Sequence, residues 1–230
     1  MVGYIPIITN GVALYFAARL LARYRERGGT HHAWWIIGML TYAAGTLTES
    51  LTTLAGWHEP LFRAWYITGA LLGGAPLAQG TVYLLLRRRT ADVLTVLLVT
   101  VVLIASACVI LSPIDYAAVQ PHRLTGRVLE WQWVRMFSPF VNLYAVTFLI
   151  GGAILSAVRY RRRSDTRHRY IGNVLIAAGA LLPGIGGTFT RFGHTEVLYV
   201  TELVGLLLIL RGFHFNTLPA SVAPRVAAAA

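Results

Sequence analysis

Two glutamates, Glu49 and Glu202, lie inside long apolar stretches of a chain of 230 residues. A carboxylate in the hydrocarbon of a membrane costs roughly 2.5 kcal/mol or more, so it needs a partner or a function there. Glu49 comes eight residues before Trp57, and Glu202 comes eight residues after His194. If both helices meet the outer membrane surface at those two residues, each carboxyl group lies about 12 Å below it. The sequence therefore predicts two carboxyl groups at one depth.

The helical neighbours of both glutamates are small or polar, which indicates faces directed into the protein. Two carboxyl groups at one depth can share a proton or flank a cation. Arg135, which enters the membrane from the same side, is a further partner that the sequence offers to the pair. The predicted ligand- or proton-binding residues are Glu49, Glu202, Arg135, Tyr66, Tyr199 and Gln79.

The other reactive side chains show no catalytic or metal-binding pattern. Cys108 is the single cysteine, which excludes an internal disulfide and a multi-cysteine metal site. The histidines lie near predicted helix ends, where only His58, His194 and Glu196 could meet, and we predict no metal site. GxSxG, HExxH, P-loop and GxGxxG patterns are absent. We assign no catalytic residue and expect a non-enzymatic protein, with a carboxylate-dependent intramembrane enzyme as an alternative.

Lipid, and not water, must cover most of this chain. Charged residues make up 13% of the sequence, against about 25% in a soluble protein. All 20 basic residues are arginine and cluster at the ends of apolar runs, a pattern of membrane topology and not of nucleic-acid binding. The expected layout, seven transmembrane helices with the N-terminus outside, is similar to that of the microbial rhodopsins, in which a lysine Schiff base holds retinal. Because the chain has no lysine, covalently bound retinal is excluded, and the sequence identifies no other cofactor.

The apolar runs predict an all-α integral membrane protein, a bundle of seven transmembrane helices with the N-terminus outside and the C-terminus in the cytoplasm. The positive-inside rule supports this orientation, since fifteen arginines fall on the inner side and five on the outer side. The seven-helix domain covers 1–215, and a short cytoplasmic tail, expected to be disordered, covers 216–230. The predicted spans are approximately 4–23, 33–56, 61–86, 92–111, 131–158, 170–189 and 196–210.

Local patterns predict how these helices pack. Gly69 and Gly73 form a GxxxG pair that lets another helix approach the third span closely. Pro183, followed by a glycine-rich stretch, predicts a break or kink in the sixth span. The fourth span is apolar on all sides and is expected to face lipid. The outer connection, at about 112–130, is expected to form a cap or an interfacial helix.

These patterns favour a multi-pass protein of the cell membrane that binds or moves a small ligand, ion or proton in an outward-facing polar cavity centred on Glu49 and Glu202. Its expected partners are the lipid bilayer, a small ligand or ion, and a further membrane protein, with no nucleic acid. The alternative is a structural or accessory subunit of a larger membrane complex, lipid- or pigment-binding, whose glutamates hold helices together. An internal repeat typical of transporters is not visible.

Overall fold

The structure is helical throughout. The computed structural model describes residues 2–162, 166–190 and 192–218, and no β-strand occurs among these residues. The α-helices are α1 (Ile5–Arg27), α2 (Thr30–Ala55), α3 (Glu59–Trp65), α4 (Ala75–Leu85), α5 (Arg88–Leu111), α6 (Phe137–Ala145), α7 (Gly151–Tyr160), α8 (Arg167–Thr190) and α9 (Thr195–Thr217). Two π-helical segments, Tyr66–Leu71 and Val146–Ile150, extend α3 and join α6 to α7.

Within the described ranges, five helical segments are long and apolar enough to cross a membrane: Ile5–Arg27, Arg88–Leu111, Gln132–Tyr160, Arg167–Thr190 and Thr195–Thr217. They correspond to the first, fourth, fifth, sixth and seventh predicted spans. The last helix continues to Thr217, past the predicted domain end at residue 215. This architecture is that of a helical membrane protein, because in lipid every backbone polar group must be satisfied inside the protein.

The second predicted span corresponds to α2, which is long enough at 26 residues but is not among the five segments that are apolar enough to cross a membrane by composition. Its hydroxyl groups donate to backbone carbonyls within the helix, which satisfies them without water. The polar part of α2 is therefore internal and faces other helices. The buried polar residues of α2 are His32, Thr46, Thr48, Glu49, Ser50 and Thr52.

The third predicted span is a broken helix. α3 and its π-helical extension end near Leu71, and α4 starts at Ala75 with Pro76 in its first turn. Gly73 lies in the intervening turn with φ of 22°, a conformation that disfavours other residues. The close approach expected of the GxxxG pair occurs at Gly69 alone, where a neighbouring helix crosses, whereas Gly73 serves the break.

α8 and α9 form a tight hairpin because glycines face each other along both helices. A Cβ atom added to Gly179 would lie 2.5 Å from the carbonyl oxygen of Gly205, and one added to Gly205 would lie 2.5 Å from that of Gly179. Gly172 and Gly212 repeat this arrangement two turns away. Residues seven apart share a helix face, so the glycines form a continuous stripe on which the backbones approach closely.

The predicted break in the sixth span is absent, since α8 runs without interruption through Pro183. Proline has no N–H to donate to the carbonyl four residues earlier, which here belongs to Gly179. That carbonyl oxygen is the one that meets Gly205 across the hairpin. The proline thus leaves a carbonyl without its usual helical partner at the point where α9 comes closest.

α5 buries one narrow stripe, Ala91, Leu98, Ala105 and Val109. These positions recur at intervals of seven and four residues, which places them on one side of the helix. Apolar side chains on the other sides are exposed, as expected of a helix that faces lipid.

Residues 112–136 form what we call the outer cap. They contain three short 3-10 turns instead of one interfacial helix. Val128, Leu129 and Val134 of the outer cap are fully buried against Phe62 and Val109, so the cap is packed onto the ends of α3 and α5.

Some sequence-based predictions lie outside the described residues. These are the placement of Arg163, Arg191 and Arg225 relative to the membrane and the disorder of the tail beyond residue 218.

Candidate functional site

Glu49 lies on α2 and is 6% exposed. The indole Nε1 of Trp65 donates a hydrogen bond of 2.9 Å to its Oε1 atom. α2 crosses the third predicted span at the contact between Gly45 and Gly69, since a Cβ atom on Gly45 would lie 3.2 Å from the Gly69 Cα. Glu49 is one turn beyond Gly45, and Trp65 is one turn before Gly69, so the crossing brings the carboxyl and the indole together.

Glu202 lies on α9, three residues before the glycine of the tight α8–α9 hairpin, Gly205. The hydroxyl of Tyr42 on α2 donates to the backbone carbonyl of Glu202 at 3.3 Å. This bond links α2 to the backbone of α9 at Glu202.

The carboxyl groups of Glu49 and Glu202 interact directly with each other. Each has one buried oxygen, Oε2, that receives no hydrogen bond from any described residue. No arginine or histidine within the described ranges forms an ion pair with either carboxyl group. Two ionised carboxylates repel each other strongly in a medium of low dielectric constant. A proton or a cation between them removes this repulsion and supplies the missing partner of the free oxygens.

Tyr199 lies beside the pair, one turn before Glu202 on the same face of α9. It is close enough to Glu49, Glu202 and Arg123 to interact with their charges. Arg123 belongs to the outer cap, and its Nη2 atom donates to the carbonyl of Thr190 at 2.6 Å, at the end of α8. The outer cap therefore reaches across to the side of the bundle that contains the carboxyl pair.

Arg135, a residue of the outer cap, and Tyr66 lie together at a different place. Arg135 is exposed and donates to Gln132 Oε1 at 2.7 Å, while Tyr66 is 4% exposed. A Cβ atom on Gly126 would touch both side chains, at 2.8 Å from Tyr66 and 3.5 Å from Arg135. Among the described residues Arg135 has no ion pair with a carboxylate, so the expected partnership with the glutamates is not formed.

Gln79 is fully buried in a separate polar network between α4, α5 and α6. Its Nε2 atom donates to Thr95 Oγ1 at 2.7 Å, and its Oε1 atom accepts from the hydroxyl of Tyr144. Thr95 in turn donates to Tyr83 at 3.0 Å, and Tyr83 donates to the carboxylate of Asp92 at 2.8 Å. Every polar atom of the Gln79 amide thus has a partner, which indicates a structural network.

A further charged group, in contact with the outer cap, was not found from the sequence. Arg63 forms an ion pair of 2.7 Å with Glu59, and the hydroxyl of Tyr116 in the outer cap donates to the same carboxylate at 2.6 Å. The Tyr116 hydroxyl, together with Arg63, holds the pKa of Glu59 below its ordinary value of 4.5. Arg63 also donates to the carbonyls of Val109 and Ser112 at the end of α5. These contacts attach the outer cap to α3 and α5.

Trp65 is the partner of Glu49 that sequence reasoning missed. Its spacing of four residues from Gly69 is visible in the sequence. The signal that links it to Glu49 is the crossing of two glycines on separate helices, which the sequence does not pair. No group of three histidine, cysteine, aspartate or glutamate side chains suited to a metal ion occurs in the described part of the chain.

Comparison with known protein families, with characterised proteins and with solved structures finds no match for this chain. Any function therefore has to be inferred from the geometry of the site itself.

Proposed function

We propose that this chain is a seven-helix membrane protein, with the N-terminus outside and the C-terminus in the cytoplasm, that binds a proton between Glu49 and Glu202. The proposal assigns it to the receptor or transport type of protein, with proton occupancy of the pair as the signal or the cargo. The observation that carries it is the direct interaction of two carboxyl groups, each with a buried oxygen that no described residue hydrogen-bonds.

The relative direction of the first and last helices supports the seven-helix count. The rings of Phe16 on α1 and Phe213 on α9 lie 5.3 Å apart, and the segment Val2–Tyr4 also contacts α9. If the helices ran antiparallel, residues before Phe16 would extend past the end of α9 at Thr217. The two helices are therefore parallel, which an alternating chain achieves with an odd number of spans. The five apolar spans, α2 and the broken segment from α3 to α4 add up to seven.

A proton suits the pair better than a metal cation. Calcium takes six to eight oxygen ligands, and magnesium needs an octahedral set. The pair offers two carboxyl groups with Tyr199 nearby, and no larger cluster of acidic or histidine side chains occurs among the described residues. A single proton between two carboxyl groups completes their hydrogen bonding and leaves one negative charge, which the indole of Trp65 partly stabilises.

Protons would reach the pair from the outer side, past Arg123 and Tyr199. Arg123 tethers the outer cap to α8, and Tyr199 interacts both with that arginine and with the carboxyl groups. A change in the charge of the pair would act on both residues, because the Coulomb interaction is strong where water is excluded. The cap and the pair would then respond together.

Glutamine variants separate proton binding from a purely structural role. Glutamine has the shape of a protonated glutamic acid, and its amide can donate to the remaining carboxylate. We expect Glu49→Gln and Glu202→Gln each to fold with near-normal thermal stability. Wild-type protein in liposomes should show the infrared carbonyl band of a protonated carboxylic acid at neutral pH, and the double variant should lack it. Glu130→Gln, which alters an exposed glutamate of the outer cap, is the matched control.

The same liposomes, loaded with a pH-sensitive dye, show whether the proton moves across the membrane. Proton flux that disappears in the double variant and persists in Glu130→Gln would indicate transport. Binding without flux would indicate a sensor. If wild type lacks the acid band and either single variant loses most of its stability, the proposal is wrong and the glutamates are structural ties, as expected of an accessory subunit.

A further inference from the structure

A groove between α1 and α9 combines apolar walls with a strongly cationic end. We call it the inner groove; its volume is about 370 Å³, and it is lined by Tyr15 and Arg19 of α1 and by Leu207, Leu210, Arg211 and His214 of α9. It lies toward the C-terminal ends of both helices, and its cationic end, at Arg211, is nine residues or about 13 Å beyond Glu202 along α9. An inference about this groove is therefore independent of the proposed proton site.

The two arginines of the inner groove have no acidic partner among the described residues. Arg19 and Arg211 are both exposed, and neither takes part in an ion pair within that part of the chain. Glu26, the one acidic residue of α1, is bonded to Arg23 at 3.6 Å. Arg211 lies 4.9 Å above the ring of Phe215, which orients the guanidinium without neutralising it. Two positive charges therefore converge on one groove with no counter-charge.

Polarity changes along the inner groove in the same direction on both helices. Tyr15 is followed one turn later by Arg19, and Leu207 is followed one turn later by Arg211. Because α1 and α9 run parallel, the apolar parts lie side by side toward the middle of the bilayer, and the cations lie together toward one surface. This arrangement matches a molecule with an apolar chain and an anionic head.

We propose that the inner groove binds the phosphate-bearing headgroup of an anionic lipid from the cytoplasmic leaflet. Arginine binds phosphate oxygens through paired hydrogen bonds, and basic pockets between membrane helices are suited to such headgroups. Arg19 lies eight residues before the end of α1 and Arg211 six before the end of α9, about 12 and 9 Å along the helices. Side chains of this length reach the headgroup layer from that depth. Free phosphate could make the same contacts with the arginines as the headgroup does, but it has no apolar chain to pack against the apolar walls of the inner groove.

Titration with short-chain lipids tests the proposal. The full chain in neutral detergent is titrated with dioctanoyl phosphatidylglycerol, dioctanoyl phosphatidylcholine or inorganic phosphate, and bound lipid is counted by native mass spectrometry. Each cation near a membrane surface contributes about 1 kcal/mol, so Arg19→Gln and Arg211→Gln should each weaken phosphatidylglycerol binding about fivefold, and the double variant more. Arg89→Gln, which removes an exposed arginine in the first turn of α5, should bind like wild type.

Three results would overturn the proposal. They are equal affinity for phosphatidylcholine and phosphatidylglycerol, undiminished binding in the double glutamine variant, and inorganic phosphate that binds as tightly as the lipid. Thermal unfolding of each variant without lipid shows that the fold is intact. Should the double glutamine variant fail to fold, Arg211→Lys keeps the charge and removes the paired geometry. It should still weaken phosphatidylglycerol binding, and unchanged binding would contradict the assignment.

Discussion

Replacing Gly179 with alanine should destabilise the α8–α9 hairpin. The added Cβ atom would lie 2.5 Å from the carbonyl oxygen of Gly205, about 0.9 Å inside the 3.4 Å at which ordinary contact begins. The obstacle is backbone, and the backbone nitrogen of Ile209 at 3.0 Å blocks a second direction, so the helices must separate. Overpacking of this kind costs about 1–3 kcal/mol. Alanine regains up to about 1 kcal/mol of helix propensity, which leaves a net loss of about 0–2 kcal/mol.

Gly184 supplies the matched control in the same helix, since a Cβ atom there meets nothing within 4 Å. Gly184→Ala should therefore be neutral or stabilising, and the two variants should differ by about 2 kcal/mol in their free energy of unfolding. Thermal unfolding in one detergent, followed by circular dichroism, measures the difference, and about 2–4 °C per kcal/mol is expected for a chain of this size. Equal unfolding temperatures for Gly179→Ala and Gly184→Ala would refute the close packing of the hairpin.

Two other substitutions test the polar groups outside the carboxyl pair. Tyr144→Phe leaves the buried Oε1 of Gln79 without a donor and should lower the free energy of unfolding by about 1–3 kcal/mol, measured by the same thermal unfolding; no change would show that water replaces the hydroxyl. In the folded protein the pKa of Glu59 is lowered, mainly by the Tyr116 hydroxyl. The ionised Glu59 therefore stabilises the fold fully above pH 4.5, and this stabilisation is lost as the pH falls through the lower pKa of the folded state. The unfolding temperature of the wild type, measured as a function of pH, should fall over this acidic range, and that of Glu59→Gln should not. Identical pH profiles for the two proteins would contradict the prediction.

The sequence predicted the long apolar helices well and their close contacts poorly. Missing charge and runs of apolar residues located Arg88–Leu111 and Arg167–Thr190 to within a few residues, because lipid imposes composition along a whole helix. The glycine stripe of the hairpin was not predicted. Gly179 and Gly205 lie on different helices, and a single sequence does not state which faces meet. Pro183 was interpreted as a break or kink, and α8 is not broken there, because a helix can continue past a proline that removes one of its hydrogen bonds.

The candidate site was predicted in part. Counting residues from the outer ends indicated equal depth for Glu49 and Glu202, and the structure brings these two carboxyl groups into contact. Arg135 was grouped with them because it enters from the same side, yet its hydrogen bond is with Gln132 in the outer cap. Counting residues gives the depth of a side chain along its helix. Its position around the bundle depends on which helices are neighbours, and a single sequence does not state that.

The carboxyl pair lies between two units that are each fixed by glycine. Glu49 follows Gly45, whose contact with Gly69 holds α2 against the third predicted span. Glu202 precedes Gly205, which belongs to the α8–α9 hairpin. Each carboxyl group is within one turn of a backbone contact that leaves no room for movement inside its own unit. A change in the charge between them therefore acts on both units at once. Near Glu202 the two units are joined by the hydrogen bond from the hydroxyl of Tyr42 to the carbonyl of Glu202, at 3.3 Å. In our proposal, proton binding at the pair would act through this hydrogen bond between α2 and α9.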